Sequence, residues 1–128
     1  MKSFDGELSR LREAIQGLNV SDVSKFETGK LVYAQRDAMS QDDLADRLGV
    51  SGSKVSNYSV TYRQMLEAHA PMTPRVFAAW FTMTSSPRSG DLRNRLIREC
   101  RNQGSDDERE VHILREVETF RGDGRGRK

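Results

Sequence analysis

Ser53, Ser56 and Asn57 are the residues of this 128-residue chain whose types and spacing have the plainest chemical use. All three are short, polar and uncharged, and they fall within five positions of one another. The carboxamide of Asn57 can donate and accept in one plane, which is what the adenine edge presents in the major groove of DNA, and a serine hydroxyl can bond a base or a phosphate. Gly52 beside them is counted with these three among the expected base-reading positions. Lys54 supplies a cation for a phosphate, and Ser40, Gln41 and Ser51 combine polar side chains with main-chain N–H groups at helix starts. Catalytic chemistry has no comparable set. His69 and His112 read as isolated, with no cysteines or acids at metal-ligand spacing. No phosphate loop or activated nucleophile is present. The carboxylates Asp42, Asp43, Asp106, Asp107, Glu108 and Glu110 all fall in expected helix first turns, where capping and the helix dipole account for them. An enzyme is not expected, nor a cofactor or metal.

The elements that must position these groups are punctuated clearly. Ser40 is an N-cap with Asp43 three residues on, a variant of the capping box. Leu44 and Leu48 make the buried stripe of a short helix, with Ala45 small enough for a second helix to cross closely. Gly49 suits a left-handed helix end. Ser51 caps the next helix, which is expected to bury Val55, Tyr58 or Ser59, and Tyr62. Its other face carries Ser53, Ser56, Asn57 and Val60. Two short helices joined by a tight turn spell a helix-turn-helix over residues 40 to 60.

Gln41, Ala45, Gly49, Val55 and Tyr58 stand where helix-turn-helix regulators of bacteria and phage place their signature residues. The run TGKLVYAQRDAMSQDDLADRLGVSGSKVSN resembles the central DNA-binding region of ParB-type and KorB-type plasmid partition and repressor proteins. The resemblance covers Ser24 to Leu66, about a third of the chain. It implies that the helix before Ser40 supports the motif from behind and that the helix after Ser51 enters the major groove. Gly52 departs from the Arg or Lys of many relatives. Too little chain precedes the motif for the nucleotide-binding domain of long ParB proteins, so a stand-alone DNA-binding unit is expected.

Composition fits one compact domain with an appended terminal element. The hydrophobic fraction of 35% against 31% charged residues requires the apolar side chains to be gathered into helical stripes. A net charge of +2 makes the distribution of charge matter more than its total. One cysteine, Cys100, and the lack of any long apolar run predict a cytoplasmic protein that does not enter a membrane.

Phe4, Leu8, Leu11, Ile15 and Leu18 draw a narrow stripe down a first helix, either a dimer seam or a face against the chain's own core. Val23, Phe26, Leu31, Ala34 and Ala38 belong to the next, where Lys25, Lys30 and Arg36 could reach phosphates. Thr73-Pro74 restarts the chain after Pro71, and the aromatic cluster Val76, Phe77, Trp80, Phe81 is core, or a partner surface if exposed. Leu92, Leu96, Ile97 and Cys100 line a helix rich in arginine, and Arg93 and Arg95 are further candidates for phosphate contact. Val111, Leu114, Val117 and Phe120 form the stripe of a last, acidic helix, a second candidate seam for a dimer or a protein partner.

These readings predict an all-α bundle of about six helices. A DNA-binding domain spans 1–104, an amphipathic helix 105–121, and a disordered basic tail 122–128. The expected function is sequence-specific binding of double-stranded DNA by a homodimer on an inverted repeat, as a repressor of a plasmid or phage. A centromere-binding partition protein and a protein-interaction adaptor are the alternatives.

Overall fold

A computed structural model describes residues 4–17 and 19–126, and among them the fold is entirely helical. Seven helices follow one another: α1 (Phe4–Ala14), α2 (Asp22–Ala34), α3 (Gln41–Leu48), α4 (Gly52–Glu67), α5 (Pro74–Thr84), α6 (Gly90–Arg101) and α7 (Asp106–Gly126). The count is seven where about six were expected. Leu18, the last member of the first apolar stripe, and Arg127 and Lys128 lie outside the described residues. Backbone helix α7 runs to Gly126, five residues beyond its expected end at 121 and into the segment expected to be disordered.

The helix starts follow from their caps. The hydroxyls of Ser21, Ser40, Ser51, Thr73 and Ser105 accept from the main-chain N–H groups of Ser24, Asp43, Lys54, Val76 and Glu108, at 3.1 to 3.3 Å. Each satisfies one of the donors a helix start leaves without a partner. At the end of α3, Gly49 takes φ +69°, and the N–H of Val50 reaches back to the Ala45 carbonyl at 3.1 Å. The end of α4 closes the same way, with Ala70 N–H on the Met65 carbonyl at 2.9 Å. There the left-handed position is held by His69, φ +57°, at the steric cost a side chain brings to that region.

Two apolar cores form. In the first, Leu8, Leu11 and Ile15 of the α1 segment meet Leu31 and Val32 of α2, Leu44 and Leu48 of α3, and Val55 of α4. In the second, Tyr58 and Met65 of α4 meet Phe77, Trp80 and Phe81 of α5, Leu96 and Cys100 of α6, and Ile113 and Val117 of α7. The stripe of α1 is therefore taken up inside its own chain. The aromatic cluster is core as well: Trp80 is 0% exposed and Tyr58 stacks on Phe81 with ring centroids 4.4 Å apart.

Helices α2 and α4 pass through both cores and lie against each other. On α2, Gly29 is covered by the Phe77 ring, so close that a Cβ would overlap it. This glycine, which weakens the helix as a local element, is what lets α2 and α5 approach. Val23, Ala34 and Ala38 were expected in the apolar stripe but are exposed, and Thr28 and Gly29 are buried in their place. On α7 the stripe is also turned: Ile113 and Val117 are buried and Val111 is 53% exposed. Helix α7 contributes Ile113 and Val117 to the second core. No helix among the described residues is long and apolar enough to cross a membrane.

Burial pushes the Cys100 thiol up to about 11 and the Tyr58 phenol up to about 12. Nearby Arg109 pulls the thiol partly back and Glu99 adds to the rise. The fold holds both groups neutral, so this stability is complete below pH 9.0, where the unfolded thiol is neutral too. It is lost as the pH climbs through the folded values, because the unfolded groups ionise first. Urea midpoints should fall progressively above about pH 9, and Cys100→Ala should remove the earlier part of that fall. Gly29→Ala should lower stability by about 1–3 kcal/mol in urea denaturation, because the added methyl group must displace Phe77 from a filled core.

Candidate nucleic-acid interface

Helix α4 has one side free. Val55, Tyr58, Thr61, Gln64 and Met65 are buried. At 3.6 residues per turn, Gly52, Ser53, Ser56, Val60 and Arg63 fall on the opposite side. Ser53 and Arg63 are exposed and Gly52, Ser56 and Val60 are half-buried. Burial passes through Thr61 where Tyr62 was expected. Thr61 fits because its hydroxyl donates to the Asn57 carbonyl at 2.7 Å, leaving no polar atom without a partner.

The predicted base-reading residues come together on this helix, with different aspects. Ser56 lies near the middle of the free side and exposed Ser53 toward one edge of it. Asn57 lies at its edge, half-exposed, and the hydrogen bonds found among the described residues leave its carboxamide unused. The side chains of Ser53 and Ser56 are also outside the hydrogen-bond network of the described residues. Three polar side chains thus stand on a helix surface with their bonding capacity open to an external ligand.

The predicted phosphate contacts divide more sharply. Ser40 and Ser51 spend one lone pair of each hydroxyl on a cap and keep the O–H for another acceptor. Gln41 donates its side-chain amide to the Gly52 carbonyl at 2.9 Å, tying the start of α3 to the start of α4. A side chain at position 52 would crowd that amide, since a Cβ there would stand 3.2 Å from Nε2. Gly52 and Gln41 therefore explain each other. The first turn of α3 carries Asp42 and Asp43, which oppose an anion, while the first turn of α4 carries no acid. Of the two helix starts, α4 is the one suited to phosphate.

Lys54 is half-buried, because the helical spacing sets it in line with Tyr58 and Thr61 rather than with Ser53 and Ser56. Lys30 lies against the α1 side of α2, beside Phe4 and Glu7, away from the free side of α4. Arg93 is drawn inward. It donates to the Gln64 side-chain oxygen at 3.1 Å and to the Ser89 hydroxyl at 2.9 Å, and burial, then the charge of Arg63, lowers its pKa. Arg95 is engaged by Glu116 at 2.8 Å. Both guanidiniums are thus spent on partners within the fold.

Two other cations are better placed. Arg36, raised in the sequence reading only as a general possibility on α2, lines the shallow groove that also contains Gln41, Ser56, Ser59 and Val60. Its guanidinium stacks 3.8 Å above the Tyr33 ring and donates to the Tyr33 carbonyl at 2.6 Å. Arg63 stands on the free side of α4, held only by a 3.8 Å ion pair with Glu67. Sequence reasoning passed over Arg63, although extending the Ser53, Ser56, Val60 spacing by three positions reaches it. His112 corrects a further expectation: it is not isolated, since its Nε2 lies 2.8 Å from a Glu99 carboxylate oxygen across α6 and α7.

Comparison of the chain with protein-family models, with curated proteins and with solved structures finds no match.

The α3–α4 arrangement makes a direct expectation for Gln41. Removing its amide by Gln41→Ala should lower stability by about 1 kcal/mol, the net contribution of one such hydrogen bond, measured as a shift in the urea midpoint with the helical circular dichroism retained.

Proposed function

We propose that α3, the turn at Gly49 and α4 act as a helix-turn-helix that reads double-stranded DNA in the major groove, and that the protein is a transcriptional regulator of a bacterial plasmid or phage. The observation that carries this reading is the free side of α4. A helix surface of small, neutral polar groups without internal partners is poorly suited to protein hot spots, which favour Trp, Tyr and Arg, and well suited to the donor and acceptor pattern of base edges. Arg36 and Arg63 flank that surface with the cations a phosphate backbone requires.

The roles follow from position. Ser53 and Ser56 meet base edges near the start of α4, Asn57 pairs with an adenine at its flank, and Arg63 and Arg36 hold phosphates. Ser51 and the N–H groups at the start of α4 add a main-chain contact. One recognition helix covers few base pairs, so the working form is a homodimer on an inverted repeat with half-sites about one helical turn apart. The α1 stripe and Val117 of the α7 stripe are both occupied inside the chain, so a seam on α7 would use its outward side at Val111. The resemblance to ParB-type and KorB-type proteins supports the same groove chemistry in either repression or partition. The adaptor reading loses its aromatic surface, because Trp80 and Phe77 are buried, and keeps only the last helix.

Selection from random duplex DNA at near-physiological salt tests the proposal. A palindromic site should be enriched. Asn57→Ala should cost about 1–3 kcal/mol at one symmetric base position and relax the choice there. Arg63→Ala should weaken all sequences alike, reducing the salt dependence by about one ion, and by more than Lys54→Ala does. Binding that ignores Asn57→Ala and vanishes with salt would overturn the reading.

A further inference from the structure

We infer that Glu99 of α6 and His112 and Glu116 of α7 form a surface site for a divalent zinc ion, guarded in the metal-free protein by Arg95. One ligand atom from each of the three residues lies within 4.8 Å of the other two. His112 and Glu116 are one helical turn apart on the same side of α7, and Glu99 faces them from the neighbouring helix. The set mixes one imidazole with two carboxylates, the borderline donor chemistry that zinc accepts, and leaves a fourth position for water. Ligand atoms about 2.1 Å from a tetrahedral ion stand about 3.4 Å apart. From the observed spacing the 2.8 Å His112–Glu99 pair opens slightly and the widest pair closes by at most about 1.4 Å, a change within reach of side-chain rotation.

Arg95 sets the condition for binding. Its guanidinium is 2.8 Å from Glu116 and 3.8 Å from Glu99, so one cation already neutralises both carboxylates. The Arg95 side chain is 46% exposed and can swing into water, and exposed ion pairs of this kind hold weakly. The metal and the guanidinium therefore compete for the same oxygens. A bound ion would bridge α6 to α7 at the edge of the second core and stabilise the folded protein in proportion to its concentration.

The full chain should be titrated with zinc chloride by calorimetry, with thermal unfolding followed in parallel. The expected result is saturable one-to-one binding, reversed by a chelator, with a raised melting temperature. His112→Ala and the near-isosteric Glu116→Gln should abolish it, while His69→Gln, at the other histidine, should leave it unchanged. Arg95→Ala should tighten binding roughly fivefold by removing the competitor, a gain that a nonspecific ion on surface acids would not show. Absence of binding by wild type and Arg95→Ala up to about 1 mM zinc would overturn the inference. So would undiminished affinity in either folded ligand variant, with Glu116→Gln deciding if His112→Ala does not fold.

Discussion

The side-chain oxygen of Gln64 accepts two hydrogen bonds, from the Trp80 indole and from the Arg93 guanidinium, each at 3.1 Å. That one buried atom fixes three helices: α4 supplies it, α5 supplies the indole, and α6 supplies the cation. Arg93 passes the connection to the Ser89 hydroxyl, which donates in turn to the Ser86 carbonyl at 2.9 Å. A polar chain inside an apolar core is tolerable only when every member has a partner, and here no buried side-chain polar atom among the described residues lacks one. The second core fixes one side of α4, and on the opposite side Ser53 and Arg63 are exposed and Gly52, Ser56 and Val60 half-buried. The same bond explains why Arg93 is unavailable at the surface.

What could be read in the sequence was local. Caps act within three residues and a left-handed glycine acts at one, so Ser40, Gly49 and Ser51 announced α3, the turn and α4 directly. The Leu44 and Leu48 pair was equally plain, since α3 packs on α1 and α4 within a single core and so shows one stripe. Helix α2 hid its pattern because it serves two cores: Leu31 and Val32 face one and Gly29 faces the other, and no single stripe survives. On α7 the expected stripe took in Val111 and not Ile113 two positions on, and only contact with α5 and α6 selects Ile113. His69 was overlooked because its left-handed position follows from where α4 ends, not from its residue type.

The arginines teach the same lesson about charge. In the sequence, the clustering of Arg93, Arg95 and their neighbours makes α6 the natural place for phosphates. In the fold, Arg10 is paired with Glu27 at 2.9 Å and Arg47 with Asp5 at 2.8 Å, Arg95 with Glu116, and Arg93 is taken into the polar chain. Much of the positive charge is thus spent joining helices. What matters for an anion is the cation left exposed beside a surface that can be read, which moves attention to Arg63 and Arg36.

The division into two cores has a consequence for how the molecule opens. The residues of α1 and α3 bury their apolar side chains in the first core, and those of α5, α6 and α7 bury theirs in the second. Separate packing units loosen at separate free energies. The smaller unit, lacking the aromatic stack and the Gln64 chain, is the one to come apart first. Amide hydrogens of α1 and α3 would then exchange with solvent while those of α5 remain protected. The free side of α4 begins at this looser unit and ends at the firmer one, so its start can adjust to a curved surface while its far end keeps the register.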